Sequence, residues 1–358
     1  MKYCVKCVTP ETRPRVEFNK DGVCNACQWA EKKKTIDWQE RWKALQALCD
    51  KYRKKDSWDV IVPCSGGKDG STVAWKLKHD LDMHPLCVTF KPQMQTWLGR
   101  QNLENFIASG FDHIMISPDP QKYRAYAKES FIKMGMPKQP FVTGISTALL
   151  DVAIKFGIPF LMYGEQGEVE YGGKQETEVL HKFTKDFLLS IYYEGEDPTK
   201  YGWWWRVPDE KAIDSLYPTW WSLYEPWDPQ DHAIFAKQHT GLQMLVGGNI
   251  GTFTNHAQLD DMLQDLHAYM MFVKFGFGRC TSDASIEIRQ GRLSRQEGVR
   301  IVNQIDGLFP VEYLDAYLDY FDMTRTEFWD VIDSFANTNV LVKTSLEERP
   351  YVLRTPCV

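Results

Sequence analysis

Four cysteines open the chain as two Cys-x-x-Cys pairs, Cys4/Cys7 and Cys24/Cys27, with 16 residues between the pairs. This is the spacing of a zinc ribbon or knuckle. Each pair folds a tight turn that aims two thiolates at one ion, and two such turns complete a tetrahedron. Gly22, just ahead of the second pair, supplies turn freedom. A redox dithiol needs one pair beside a βαβ unit, whereas these two pairs sit in a short polar segment with too few apolar residues to fold unaided. Bound metal would provide the missing folding energy. Cys4, Cys7, Cys24 and Cys27 together leave no open coordination position, so the expected ion is a structural Zn²⁺ that braces the fold.

A second set of residues points to phosphate chemistry. Trp58-Asp59-Val60-Ile61-Val62-Pro63 reads as a short buried strand, followed by Cys64-Ser65-Gly66-Gly67-Lys68-Asp69-Gly70-Ser71 and then a helical pattern with Val73, Ala74 and Leu77 on one face. Backbone N–H groups freed by Gly66 and Gly67 can close on phosphate oxygens, and the dipole of the following helix favours an anion there. Ser65, Ser71 and Lys68 add hydroxyl donors and a positive charge. The pattern G-x-x-x-x-G-K-[ST] does not fit, and G-x-G-x-x-G is absent.

The surrounding elements must hold that loop. Residues 85–90, 113–117 and 158–163 form further apolar strand patterns, with helical stretches at about 97–109, 121–134 and 143–156. Such alternation predicts an α/β fold with a doubly wound, mostly parallel sheet covered on both faces. Ligands then bind beyond the carboxyl ends of the strands, where the strand order reverses. The loop 64–71 follows one strand end and Gly164–Gly173 follows another, so both are expected at one crevice. The chain has 358 residues, of which 43% are hydrophobic and 25% charged, which excludes disordered and fibrous classes. A net charge of −6 without a long basic stretch argues against tight nucleic-acid binding as the main task. No apolar run is long enough for a membrane span, and the N-terminus lacks the apolar core of a secretory signal, so a cytoplasmic location is the expectation.

The loop Ser65–Ser71 resembles S-G-G-x-D-S, the PP-loop of the ATP pyrophosphatases, with one glycine inserted. The insertion leaves open whether Gly70 or Ser71 takes the last donor role. The cysteine pairs, this loop and Gly164–Gly173 together resemble the N-acetyl sugar amidotransferases, as do Tyr224-Glu225-Pro226-Trp227-Asp228 and Lys274–Arg279 running on to Asp283, Arg289 and Arg292. That family makes acetamidino sugars for bacterial O-antigen and related surface glycans. The resemblance implies ATP and Mg²⁺ as well as zinc, with the acetamido oxygen of a nucleotide-linked sugar adenylated and ammonia then displacing AMP. It implies a separate glutaminase, and a subunit similar to the cyclase of imidazole glycerol phosphate synthase, as ammonia suppliers. It further implies Ser65, Gly66, Gly67, Lys68, Asp69, Gly70, Ser71 and Phe90 as nucleotide-binding. Lys68, Asp69, Glu165 and Arg279 would be catalytic, with Glu165, Tyr171, Arg279 and Asp283 touching substrate.

Each of these residues also has a plainer reading. Glu165 is equally a solvated loop acid, Tyr171 before Gly172-Gly173 equally part of a turn, and most arginines after Arg279 equally a solvated face. The aromatic run 201–227 reads mainly as packing, Asp260-Asp261 as acids at a helix start, and no histidine shows ligand spacing. A rival reading is a tRNA-thiolating PP-loop enzyme, which wants reactive cysteines in the cleft and a basic RNA track. Another is a non-catalytic nucleotide-binding subunit, which the intact loop argues against. The expected division is a Cys4 zinc segment (1–35), a helical linker (36–56), the ATP-binding domain (57–200) and an aromatic-rich, mostly helical region (201–358).

Overall fold

The computed structural model describes residues 1–173, 185–189, 193 and 198–358; the rest of the expected ATP-binding segment lies outside the described residues. Its centre is a five-stranded parallel sheet of β1 (Val60–Pro63), β2 (Pro85–Phe90), β3 (Asp112–Ile116), β4 (Phe160–Tyr163) and β5 (Tyr217–Trp220), in the order β3-β2-β1-β4-β5. The order reverses between β1 and β4, so the expected doubly wound sheet is the one present. Strand alternation divides its side chains between two cores. Ile61, Leu86, Val88, Phe90 and Leu161 enter one, while Val60, Val62, Cys87, Phe160 and Met162 enter the other.

The helices follow from those two faces. On one lie α2 (Trp38–Tyr52), α3 (Lys68–His79) and α4 (Trp97–Ala108); on the other lie α5 (Pro120–Met134) and α6 (Gln139–Phe156). Helix α2 is therefore part of the sheet's cover and not a linker. Leu45 and Cys49 are fully buried, and Tyr52 stacks on Phe160 at 5.2 Å. Its start is fixed by Asp37, whose carboxylate accepts from the N–H of Gln39 and Glu40. Before α2 come the cysteine segment and α1 (Asn25–Lys33).

After β4 come α7 (Gly167–Tyr171), the short turns α8 (Lys185–Leu188) and α9 (Glu210–Ile213), then β5 and α10 (Pro229–Thr240). The fifth strand moves the end of the α/β unit beyond the expected residue 200. Sequence reading missed β5 because Pro218 interrupts it, and proline is tolerated only where a strand is unpaired on one side. Among the described residues β5 is the sheet's edge and pairs with β4 alone. The C-terminal part is mostly helical, as expected: α11 (Met262–Phe275), α12 (Arg279–Arg289), α13 (Arg295–Ile305), α14 (Leu314–Phe321), α15 (Arg325–Phe335) and a hairpin of β6 (Leu341–Leu346) and β7 (Arg349–Leu353). Its core is joined to the α/β unit through Ala127 and Phe131 of α5. Asp261 caps α11, accepting from the N–H of Leu263. Among the described residues no helix is long and apolar enough to cross a membrane.

Packing is the role of most of the aromatic run. Trp205, Trp221 and Trp227 are buried, and Trp205 lies edge-on to Phe90 while its Nε1 donates to Pro140 O at 2.8 Å. Trp203 is exposed.

Candidate functional site

The loop between β1 and α3 is built for close approach. Gly66 has φ +81°, and a Cβ there would lie 2.5 Å from the backbone nitrogen of Leu103. Only glycine combines that angle with that contact. At Gly70 a Cβ would lie 2.5 Å from Pro63 O, so the inserted glycine is demanded by the packing of α3 onto β1. Gly67 is the N-cap of α3, with Lys68 and Asp69 in its first turn, so the unpaired N–H groups of the helix open at the loop. Gly66→Ala is expected to weaken ATP binding at least about tenfold, equal to about 1.4 kcal/mol, in a calorimetric titration; unchanged affinity would show that the left-handed turn does not shape the site.

A cavity of about 360 Å³ lies over this loop. Ser65 through Gly70 form one wall and Glu165, at the end of β4, another; Asn102, Lys138, His256 and Asp260 complete it. This is the crevice beyond the strand ends where β1 and β4 diverge. Lys138 is buried and pairs with Asp261 at 3.1 Å.

Asp69 sits in a web of donors. Lys68 Nζ lies 2.6 Å from its Oδ2, while Trp227 Nε1 (3.1 Å) and His232 Nδ1 (2.9 Å) donate to Oδ1. Burial opposes its charge, but Lys68 and His232 outweigh that and hold the carboxyl below the usual range. Glu165 answers in the opposite sense. Burial, and then the charge of Asp69, push it up to about 7. Two facing carboxyls with separated titrations are a common feature of acid–base sites.

Arg279 opens α12, and its Nε donates to Asp283 Oδ1 at 2.9 Å. The other Asp283 oxygen accepts from Thr252 Oγ1 (2.6 Å) and Thr254 Oγ1 (3.1 Å). Asp283 is thus fully engaged and orients Arg279. Burial works against the Arg279 charge, and Asp283, Tyr171 and Glu165 more than restore it. Tyr171, at the end of α7, is raised by burial and by Glu165. The mutual influence of Lys68, Asp69, Glu165, Tyr171, Arg279 and Asp283 gathers residues from three distant stretches into one charged neighbourhood.

The four N-terminal cysteines are buried, and their sulfurs all lie within 4.8 Å of one another. Cys4–Cys27 and Cys7–Cys24 are 3.9 and 3.7 Å apart. Thiolates at about 2.3 Å from a tetrahedral Zn²⁺ stand about 3.8 Å from each other, so the geometry fits that ion. Backbone N–H groups of Lys6, Thr9 and Cys24 point at the sulfurs, as charged thiolates require. The knuckle packs on the elements that carry the site. Trp29 Nε1 and Lys33 Nζ bind the Glu170 carboxylate of α7 at 3.0 and 2.8 Å, and Asn25 Nδ2 donates to Gly173 O. Arg13 Nη1 donates to Ser282 of α12. Arg295 reaches the carbonyls of Cys4 and Cys7, and Arg289 that of Glu170. These two arginines hold the scaffold together.

Two expected nucleotide contacts are not brought to the cavity. Ser71 is fully buried, its hydroxyl 3.7 Å from Cys64 Sγ, because Gly70 takes the position facing the crevice. Phe90 is buried between Gly144, Tyr123 and Trp205, so it serves the core. Conversely, Trp227, His232, Lys138 and His256 were not assigned from sequence. Trp227 lay inside a quoted motif, which was the available signal. In that same motif Glu225 takes Lys76 Nζ at 2.6 Å, and Asp228 takes both terminal nitrogens of Arg292 at 2.6 and 3.0 Å.

Residues 250–347 match the family model described as LPS biosynthesis protein WbpG-like, C-terminal domain. That match takes in the WbpG-like segment's His256, Arg279 and Asp283. No curated protein matches the chain. Among solved structures, the chain is similar to an NH3-dependent NAD synthetase from Campylobacter jejuni at 19% identity and a TM-score of 0.30, covering 38% of this chain and 62% of that one. The NMN synthetase of Francisella tularensis matches at 13% identity and a TM-score of 0.31, covering 62% and 88% of the two chains. The U34-tRNA thiolase NcsA of Methanococcus maripaludis, with its [4Fe-4S] cluster, matches at 10% identity and a TM-score of 0.28, covering 87% and 90%. The chain thus spans less than two thirds of the NAD synthetase's length. Overlap at this level bears on neither activity nor partners.

Proposed function

We propose that the chain is an ATP-dependent amidotransferase that converts an acetamido group of a nucleotide-linked sugar to an acetamidino group for surface-polysaccharide synthesis. The observation that carries this reading is the glycine-shaped cradle at the N-terminus of α3, with Lys68 and Glu165 lining the cavity over it. The WbpG-like match supports the biosynthetic setting.

The reaction asks for two things of the protein. The acetamido oxygen attacks the α-phosphorus, its bond to phosphorus forms and the bond to pyrophosphate breaks. Ammonia then adds to the activated carbon, and AMP leaves with the former acetamido oxygen. Backbone N–H groups at the start of α3 and the Lys68 ammonium would hold the pyrophosphate being released, where charge grows. Asp69, clamped by Trp227 and His232, keeps Lys68 aimed. Arg279, oriented by Asp283, would meet the adenylated oxygen or the α-phosphate. Apart from the four cysteines, the described residues hold no group of three or more metal ligands, so Mg²⁺ would enter with the phosphates, beside Glu165. Ammonia would come from a separate glutaminase through a cyclase-like partner. The chain would act in the cytoplasm.

Cys64, the cysteine of the loop, is buried and its thiol is pushed up to about 11 by that burial. A thiol so held is a poor nucleophile at neutral pH, which counts against the thiolation reading.

Pyrophosphate and AMP release that needs both ATP and an acetamido nucleotide sugar, with ammonium present, tests the reading. Release without the sugar, or stimulated by tRNA instead, would contradict it. The Glu165 carboxyl, titrating at about 7, gives a further expectation. Since the ionised form is the one that serves Mg²⁺ and Arg279, kcat/KM should rise as pH passes upward through 7, and that limb should vanish in Glu165→Gln. A limb of the same midpoint in the variant would assign the titration elsewhere.

A further inference from the structure

Beside the phosphate-loop cavity lies a second of about 450 Å³, walled by α10, by the loop that runs from Met244 to His256, and by Glu287 of α12. His256 lines both cavities. A third cavity, of about 300 Å³ beneath the cysteine knuckle, shares no lining residue with the phosphate-loop cavity. Its Lys33 is already spent on Glu170 at 2.8 Å. Of these two, only the second shares a lining residue with the phosphate-loop cavity.

Its lining combines two chemistries. Gln230 and Asn255 present side-chain amides, each able to donate and accept, while Ala233, Ile234, Met244 and Phe253 form an apolar wall. Glu287 is committed to Arg292, whose Nη2 donates to it at 2.8 Å, and adds no free charge. An acetamido sugar matches this set. It offers an amide N–H and carbonyl to the amides, and a methyl group and an apolar ring face to the wall. A free phosphate or a carboxylate would find no uncommitted cation among these lining residues. The floor is tied to the chemistry as well, because Thr254 donates to the Asp283 that orients Arg279. At the junction, His256 makes no hydrogen bond with any described residue, and its ring is available to a group passing from one cavity to the other.

The geometry points to the second cavity as the acceptor subsite: the acetamido sugar lies on Gln230, Asn255 and Phe253, with its acetamido group directed past His256 to the nucleotide. This assignment rests on the amidotransferase reading above and adds to it the place and the contacts of the acceptor.

The test uses the full chain with a non-hydrolysable ATP analogue and UDP-N-acetylglucosamine as the probe, read by saturation-transfer NMR at the acetyl methyl. Wild type should saturate that methyl, and Gln230→Ala combined with Asn255→Ala should weaken probe binding at least about tenfold. Both side chains are partly exposed and hydrogen-bond to no described residue, and Phe253→Ala, at a ring packed against the cluster of Val8 and Cys280, provides a second lesion. Affinity for the ATP analogue should stay within about twofold. Persistent methyl saturation in the variants, or none in wild type, would overturn the subsite. Turnover of the double variant with an unchanged sugar KM would also remove the subsite, yet leave the amidotransferase reading standing. Absence of any amidine from the wild-type chain would remove the reading itself, and the subsite with it.

Discussion

Lys68→Ala should lower ATP-dependent turnover by about 10²–10³-fold, the loss seen when one donor to developing charge is deleted. The melting temperature should move by only a few degrees. Lys68 is the first residue of α3 and lines the cavity over the loop. Its ammonium belongs to the loop that Gly66 and Gly67 shape, and it pairs with the neighbouring Asp69 at 2.6 Å. The residue supports no distant element, so its loss should be felt in chemistry and not in folding. Lys68→Arg should recover part of the activity, because the charge remains while the reach differs. Wild-type rates in Lys68→Ala would refute the assignment of the loop.

The second large effect concerns the knuckle. Cys24→Ser should remove the bound metal and lower the melting temperature by about 10 °C or more, since structural zinc contributes about 10–16 kcal/mol of binding energy to such small units. The variant should also lose most activity. Glu170 of α7 and Ser282 of α12 are held by Trp29, Lys33 and Arg13 of the cysteine segment, and these two helices carry Tyr171, Arg279 and Asp283. A strong chelator should reproduce both losses in wild type and add nothing to Cys24→Ser. Unchanged melting, with no metal found by elemental analysis, would eliminate the structural-zinc assignment.

The parts of this site that were legible in sequence are those built within one short stretch. The strand–loop–helix at 58–78 declares itself because Gly66, Gly67 and Lys68 act where they stand. The cysteine pairs likewise need only their own spacing. What could not be read is what the tertiary fold adds across long separations. Trp227 and His232 reach Asp69 from more than 150 positions away, and nothing local marks either as its partner. Gly70 and Ser71 could not be separated as the last donor because sequence cannot show which of two adjacent residues turns inward; in the fold Ser71 is fully buried while Gly70 lines the cavity. Phe90 sits at a strand end, as a ligand residue would, yet the opening left by Gly144 draws its ring into the core. The edge strand β5 was hidden by Pro218 and by the aromatic run around it, so the α/β unit extends past where its pattern faded.

The most direct measurement follows the acetamido oxygen. With heavy oxygen placed in the acetamido carbonyl of the nucleotide sugar, and ATP and ammonium supplied, the label should appear in the phosphate of AMP while the sugar gains nitrogen in its place. Unlabelled AMP alongside amidine, or ATP cleavage that leaves the sugar unchanged, would contradict O-adenylation as the central step.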